Sequence, residues 1–411
     1  MAWGKQSHYI GRMIHASQAQ THASSLDDFA TSRLTALEKH NRRRILVDSA
    51  REDGVFLVRG GRRFISFSCN DYLNLTHHPK VKAAAIAAIE TYGTGAAASR
   101  LITGNHPLLI ELEEKLAALK EAEAACVFGS GYLANTGIIP TLIGQADLVL
   151  LDELSHSCIW AGAQLSRGTV HVFRHNDLTH ARALLTEHRK AHPHALIVTD
   201  GVFSMDGDLA PLHALSALAA EFDAWLMSDD AHGLGVIGGG RGSAFVDGKK
   251  ARIDLQMGTL SKALGSYGGY LCASQPVIDL LKTRARTLVY STGLPPASVA
   301  AAIAALDVIA AEPEFAASAV EKAQGFTRAL NLPLAQSPIV PIVLGSETAA
   351  LEAQKLLENE DFLVTAIRPP TVPEGTARLR FAFSAGHSDA DIQRLAALVR
   401  EKVLPHTPAI P

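Results

Sequence analysis

Between Asn70 and about Tyr290, short apolar runs alternate with stretches of helical period, and this alternation organises the chain. Ala124–Phe128, Leu148–Leu151, Ala195–Thr199, Ala224–Ser228, Leu255–Gly258 and Gly269–Cys272 read as strands, because each is a continuous apolar run of strand length. Between them, Leu133–Leu142, Leu178–His188 and Leu212–Glu221 have the period and length of helices. The pattern predicts an α/β domain around a mostly parallel sheet. Upstream, Val55–Val58, the turn glycines Gly60-Gly61 and Phe64–Phe67 predict a hairpin, and Ser32–Asn41 predicts a helix. Downstream of Pro295-Pro296 come an Ala-rich helical stretch, strands at Ile339–Leu344, Leu363–Ala366 and Leu379–Phe383, and an amphipathic closing helix over Ala390–Val403. That segment predicts a smaller α+β domain. The expected division is an N-terminal extension and segment over 1–69, a large domain over 70–294 and a small C-terminal domain over 295–411.

Charge and composition narrow the function classes. Lys and Arg total 38 against 41 Asp and Glu, a net charge of −3, so nothing points to nucleic acid. No apolar stretch reaches the roughly 18 to 20 residues of a membrane span, since Pro296–Ala311 is broken by Asp307. Four cysteines, Cys69, Cys126, Cys158 and Cys272, lie scattered without metal-ligand spacing, which fits core thiols in a reducing cytoplasm and no metal site. The first thirty residues have no continuous apolar core of a secretory signal and read as a loosely ordered extension, with Met13 a candidate later start.

Ligands of such sheets sit beyond the carboxyl ends of the strands. The notable polar residues fall there: Gly129-Ser130-Gly131-Tyr132, Asp200 and Ser204, Asp229 and His232, then Thr259 and Lys262. A lone lysine is usually solvated, but Lys262 follows a strand among small residues, about thirty residues after Asp229-Asp230-Ala231-His232-Gly233. A lysine amine and a carboxylate for a pyridinium nitrogen are what pyridoxal phosphate (PLP) asks of a protein. The glycine loop before Leu133–Leu142 would cradle a phosphate at a helix N-terminus, although such loops more often mark only a tight connection. His156 alone would be an ordinary histidine; in a PLP site it would stack on the ring.

Asn70-Asp71-Tyr72-Leu73, Ser130-Gly131-Tyr132, Leu154-Ser155-His156, Val202 to Asp208, Asp229 to Gly233 and Thr259-Leu260-Ser261-Lys262 together resemble the α-oxoamine synthases, from about Arg44 to Val403. Tyr132 stands where Phe is also common in that family. The resemblance implies a PLP-dependent transferase of fold type I that condenses an amino acid with an acyl thioester as a homodimer with shared active sites. The segment Thr365 to Arg380, with Ile367-Arg368-Pro369-Pro370, is similar to the branch that joins L-alanine to a pimeloyl thioester, on CoA or acyl carrier protein, in biotin synthesis. The alternatives are a related synthase using glycine or serine, and a non-catalytic partner subunit, which the presence of Lys262 disfavours.

By that resemblance Lys262 forms the Schiff base and serves as base, Asp229 keeps the ring nitrogen protonated, His232 bonds the phenolic oxygen and His156 stacks on the ring. Ser130, Gly131, Tyr132, Ser204 and Thr259 surround cofactor oxygens, and Thr292 reaches a phosphate across the dimer. Arg380, with Asn70 assisting, takes the amino-acid carboxylate, against the plainer reading of a surface arginine on an edge strand. Arg44, in the run Arg42-Arg43-Arg44, and Arg368 with Thr371 contact the acyl chain or its distal carboxylate.

Overall fold

The structure, a computed structural model, describes residues 24–407; Met13 and most of the thirty-residue extension lie outside them, while residues 25–30, expected to be loosely ordered, are helical. The chain falls into two units, one ending at Ile45 and the other beginning at Leu46. In the first, helix α1 (Ser25–Lys39) starts earlier than Ser32 because Ser24 and Asp27 close a reciprocal capping box.

The second unit opens with strands β1 (Ala50–Arg51), β2 (Phe56–Arg59) and β3 (Arg62–Ser66), then helices α2 (Pro79–Tyr92) and α3 (Pro107–Leu119). The expected hairpin is β2 paired antiparallel with β3. There follow β4 (Ala124–Phe128), α4 (Gly131–Leu142), β5 (Leu148–Asp152), α5 (Ser157–Ser166), β6 (Thr169–Phe173), α6 (Leu178–His188), β7 (Ala195–Asp200), α7 (Leu212–Glu221), β8 (Trp225–Asp229), β9 (Leu255–Thr259) and β10 (Gly269–Ala273). These strands form one seven-stranded sheet in the order β4-β10-β9-β8-β7-β5-β6. It is mostly parallel, with β10 antiparallel to both neighbours. Only β6 was not expected; its polar Thr169 and His171 interrupt the apolar run, which an edge strand tolerates.

Burial on both faces explains the continuous apolar strands. Along β5, Val149 and Leu151 join one core layer with Ile138 and Ile159, while Leu148 and Leu150 join the opposite layer with Leu185 and Leu226. As parallel neighbours, β5, β7 and β8 bring their last residues, Asp152, Asp200 and Asp229, to the same edge of the sheet.

After β10 come α8 (Gln275–Arg284), α9 (Arg286–Val289), α10 (Pro296–Ala311), α11 (Pro313–Ala329), β11 (Ile339–Gly345), α12 (Glu347–Asn359), β12 (Phe362–Leu363), β13 (Thr365–Ile367), β14 (Ala377–Ala382) and α13 (Asp389–Lys402). The Ala-rich stretch is two helices, parted where Pro313 starts a new first turn. Leu363–Ala366, expected as one strand, is split: β12 pairs with β3, whereas β13 pairs with β14. Strand β14 lies between β11 and β13, so Arg378 and Arg380 are on a central strand and buried. The surface-arginine reading of Arg380 therefore fails.

His387 fastens this region. Its ring stacks on Phe67 at 3.8 Å, Nδ1 accepts the Ser384 N–H at 2.9 Å, and Nε2 donates to the Ser66 carbonyl at 3.0 Å. A ring that accepts at one nitrogen is neutral, and burial holds its pKa down at about 4. In the unfolded chain the ring gains a proton below about pH 6.5, while the folded ring stays neutral to about 4. Stability is therefore lost as pH falls through that window, by about 3 kcal/mol from this group. Urea midpoints measured from pH 7 to 4 should show this slope, and His387→Gln should flatten it; an unchanged slope would remove His387 as its source.

Candidate active site

Lys262 follows β9 and is half-buried. Its Nζ lies 2.8 Å from His232 Nε2, and His232 Nδ1 lies 2.6 Å from the Tyr72 hydroxyl. Tyr72 also meets Asn70 Oδ1 at 3.2 Å and Arg380 Nη2 at 3.3 Å, and Arg380 Nη1 donates to Asn70 Oδ1 at 3.2 Å. Arg380 Nε donates to the Ser204 carbonyl. One hydrogen-bonded path thus runs from the lysine amine to a buried guanidinium.

The protons on this path are set by electrostatics. Burial, with the positive charges of Lys262 and Arg380, pushes His232 well below the usual imidazole range. The neutral ring accepts from Lys262 at Nε2, carries its proton on Nδ1 and donates it to Tyr72, whose own proton goes to Asn70. Burial also lowers the Lys262 amine to about 8, against the opposing charge of Asp229. Tyr72 is raised by burial despite the neighbouring Arg380, so it stays a phenol.

A second cluster surrounds Asp229 at the end of β8. Its Oδ2 accepts from Asn135 Nδ2 at 2.7 Å and its Oδ1 from the Ala231 N–H at 3.0 Å. Asn135 is also 3.1 Å from Cys158 Sγ, which is 2.8 Å from His156 Nδ1. Asp200 accepts the His156 N–H at 2.9 Å; burial, then the charge of Asp229, raises its carboxyl well above the ordinary range. Asp230, one residue on, does different work. It is held by Lys120 at 2.8 Å and by the Ser243 hydroxyl at 2.7 Å, all of it buried.

Ser130 caps α4, its hydroxyl accepting the Leu133 N–H at 3.1 Å. The N–H groups of Gly131 and Tyr132 begin the first turn, where no intrahelical carbonyl can reach them. A Cβ on Gly269 would come within 2.6 Å of the Ser130 backbone, so only glycine lets β10 pass this close to the loop. Thr259 is buried, its hydroxyl 2.8 Å from the Gly268 carbonyl, and a Cβ on Gly131 would touch it at 3.5 Å.

A lowered amine, a buried carboxylate pinned by neutral donors, and an open helix N-terminus fit PLP: Lys262 for its aldehyde, Asp229 for its ring nitrogen, and the 130–132 backbone for its phosphate. A profile of the aminotransferase class I and II family matches residues 62–399.

The chain belongs to the class I and II aminotransferases.

This aminotransferase-family chain is 67% identical over 347 residues to 8-amino-7-oxononanoate synthase from Methylocella silvestris, covering 84% of this chain and 99% of that one. It is 62% identical to the enzyme of that name from Beijerinckia indica, covering 92% and 97%. Serine palmitoyltransferase from S. paucimobilis, solved with a PLP–myriocin species bound, superposes with a TM-score of 0.85 at 29% identity, covering 92% and 97%. 8-Amino-7-oxononanoate synthase from Francisella tularensis superposes at 0.69 with 27% identity, covering 83% and 98%. The cofactor of this aminotransferase-family chain is PLP.

Of the expected site residues, the structure links Lys262, His232, Asn70, Arg380 and Ser204 in one network and Asp229 with His156 in another. Thr292 is exposed in a bridge with Ser99. Arg368 and Thr371 bound a turn after β13, the Thr371 N–H donating to the Arg368 carbonyl at 3.1 Å. Arg44 belongs to the N-terminal unit, past α1. Tyr72 and Asn135 were given no role from sequence, Cys158 was read only as a core thiol, and Asp200 was noted at the strand ends without a specific role. Asn135 carried a signal: a polar residue inside an apolar helix, one turn from Gly131.

Two outcomes follow. Covalent capture of PLP by apo-protein needs the neutral amine, so the borohydride-trapped adduct should rise with pH to half-maximum near 8, below the 10.5 of an ordinary lysine; a midpoint near 10 would discard the buried amine. Asp229→Asn should weaken PLP with little loss of Tm, whereas Asp230→Asn should cost about 3 kcal/mol of stability by stranding Lys120. Matching effects in absorbance titration and thermal melts would mean the two carboxylates share one role.

Proposed function

We propose that this chain is an 8-amino-7-oxononanoate synthase, a PLP-dependent acyltransferase that joins L-alanine to pimeloyl-CoA or pimeloyl-acyl carrier protein with loss of CO₂ in biotin synthesis. It works in the cytoplasm as a homodimer. The identity to synthases of that name supports the reading. The observation that carries it is the Arg380–Tyr72–His232–Lys262 path, which sets a carboxylate grip and a reactive amine at two ends of one buried network.

PLP, when bound, supplies an aldehyde that takes amines covalently and an electron sink for the α-carbon. Lys262 would hold it, and the Lys262 amine, lowered to about 8, is matched to removing and returning a proton at the alanine α-carbon. Asp229 would keep the ring nitrogen protonated, and His232 and His156 would hold the ring through its phenolic oxygen and its face. The Ser130, Gly131 and Tyr132 backbone, with Ser204 and Thr259, holds cofactor oxygens.

Arg380 and Asn70 orient the alanine carboxylate. With its proton taken by Lys262, the α-carbon bonds to the thioester carbonyl carbon, the thiolate leaves and takes a proton from solvent, the carboxylate departs as CO₂, and Lys262 returns its own proton to the α-carbon. His156 and Lys262 steady the oxyanions that develop. Arg368 with Thr371 receives the acyl chain or its distal carboxylate.

Leu101, Ile102 and Tyr290, 60%, 76% and 78% exposed, lie near the Ser99–Thr292 bridge and give an apolar patch to meet a second copy. There Thr292 contacts the partner's phosphate.

The test is turnover of L-alanine with pimeloyl-CoA, followed by released thiol, against glycine, serine and an uncharged acyl-CoA of similar length. Alanine and the carboxylated chain should be preferred. Arg380→Ala should weaken alanine by about 1.5 to 3 kcal/mol and leave PLP bound. Equal use of the uncharged chain would reduce the reading to a general α-oxoamine synthase.

A further inference from the structure

Behind the site, His175 sits in the loop after β6 and reaches inward between two carboxylates. Its Nδ1 lies 3.1 Å from Asp152 Oδ1 and its Nε2 lies 2.8 Å from Asp208 Oδ2. Carboxylates only accept, so both ring nitrogens must donate and the ring is an imidazolium. Burial opposes that charge, but the hydrogen bonds and charges of Asp152 and Asp208 outweigh it and raise the group to about 10. Asn176 repeats the bridge, its N–H donating to Asp152 Oδ2 at 2.8 Å and its Nδ2 to Asp208 Oδ2 at 2.9 Å.

The two carboxylates belong to different loops. Asp152 ends β5, and the chain after it leads to His156 at the cap of α5. Asp208 closes a tight loop in which Phe203 N–H donates to the Asp208 carbonyl at 3.0 Å and Gly207 N–H to the Phe203 carbonyl at 2.8 Å. Inside that loop is Ser204, whose carbonyl holds Arg380, and Asp206, which pairs with Arg378. Phe203 presents edge-on to the His175 ring at 4.3 Å, so the loop is fixed by packing as well as charge.

We propose that His175 is a positioning residue: as a cation bridging Asp152 and Asp208 it clamps the Ser204 loop to the His156 loop, and thereby sets Arg380 for the amino-acid substrate. This rests on the reading of Arg380 as the carboxylate grip. Without the cation, two carboxylates face each other across the gap, the Ser204 carbonyl shifts, and the guanidinium follows it. Small displacements of an orienting group are costly because alignment carries much of its value.

His175→Gln and Asp208→Asn, prepared as PLP-loaded enzyme, test this through the KM of L-alanine and of pimeloyl-CoA, the alanine Kd from the visible absorbance of PLP, and its visible circular dichroism. Both variants should raise the alanine constants about tenfold, as for one displaced charge-assisted hydrogen bond. The pimeloyl-CoA KM should hold and the dichroism should change. In His175→Ala, added imidazole should restore alanine affinity, which equal ionic strength from sodium chloride should not. Equal rises for both substrates, unchanged alanine constants, or a fall in Tm alone would overturn the proposal. Should His175→Gln not fold, Asp208→Asn decides, since it keeps the Asp152 bond. Arg380→Ala is measured beside them: intact alanine binding there would sink the carboxylate reading, while the alanine-selective effect and imidazole rescue judge His175 on their own.

Discussion

The Lys262 amine is accepted by an imidazole that has to be neutral, and much of the site follows from keeping it so. A charged His232 would repel Lys262 and Arg380 at once, and its Nε2 could no longer accept. Burial and the two flanking cations force the neutral form, which then needs an acceptor for its remaining proton. Tyr72 provides it, and Tyr72 in turn needs Asn70 and Arg380. Each polar atom therefore prescribes the next, across two sheets whose residues are far apart in the chain. A buried path of this kind is stable only when complete, because an unpaired polar group at these depths costs about 1–3 kcal/mol.

Neighbouring aspartates show how backbone direction divides labour. Asp229, the last residue of β8, turns to Asn135, whereas Asp230 turns away to Lys120 and Ser243. The first is pinned by the neutral donors Asn135 and the Ala231 N–H. The second spends its charge on a buried cation and ties the 241–243 segment to α3's end.

Much of this was legible in the sequence because parallel strands buried on both faces announce themselves as continuous apolar runs, and their polar successors must gather at one edge. That reasoning located Lys262, Asp229, His232 and Ser204. It had less purchase on β6, where His171 breaks the run at the sheet's edge, and on the 362–367 segment, where one apolar stretch serves two sheets. Asn135 showed only as a polar residue in an apolar helix, and the partners of Asn135 and Tyr72 were hidden for another reason. Their roles come from which atoms lie within about 3 Å in the folded state, and spacing along the chain carries no trace of contacts between residues 94 and 160 positions apart. The burial of Arg380 on a central strand is likewise visible only once β14 is seen between two neighbours.

The split between β12 and β13 bears on how the molecule comes into being. Strand β3 finishes its pairing only with Phe362–Leu363, and the next strand along the chain aligns Thr365 opposite Arg380. The hairpin near the start of the chain is thus made during synthesis long before the residues that complete its sheet leave the ribosome, with the whole seven-stranded sheet emerging in between. The large sheet can assemble as its strands appear, but the wall that carries Arg380 has to await the chain's end. A nascent chain of this protein would hold Lys262 and Asp229 well before the strand that carries Arg380 could join them.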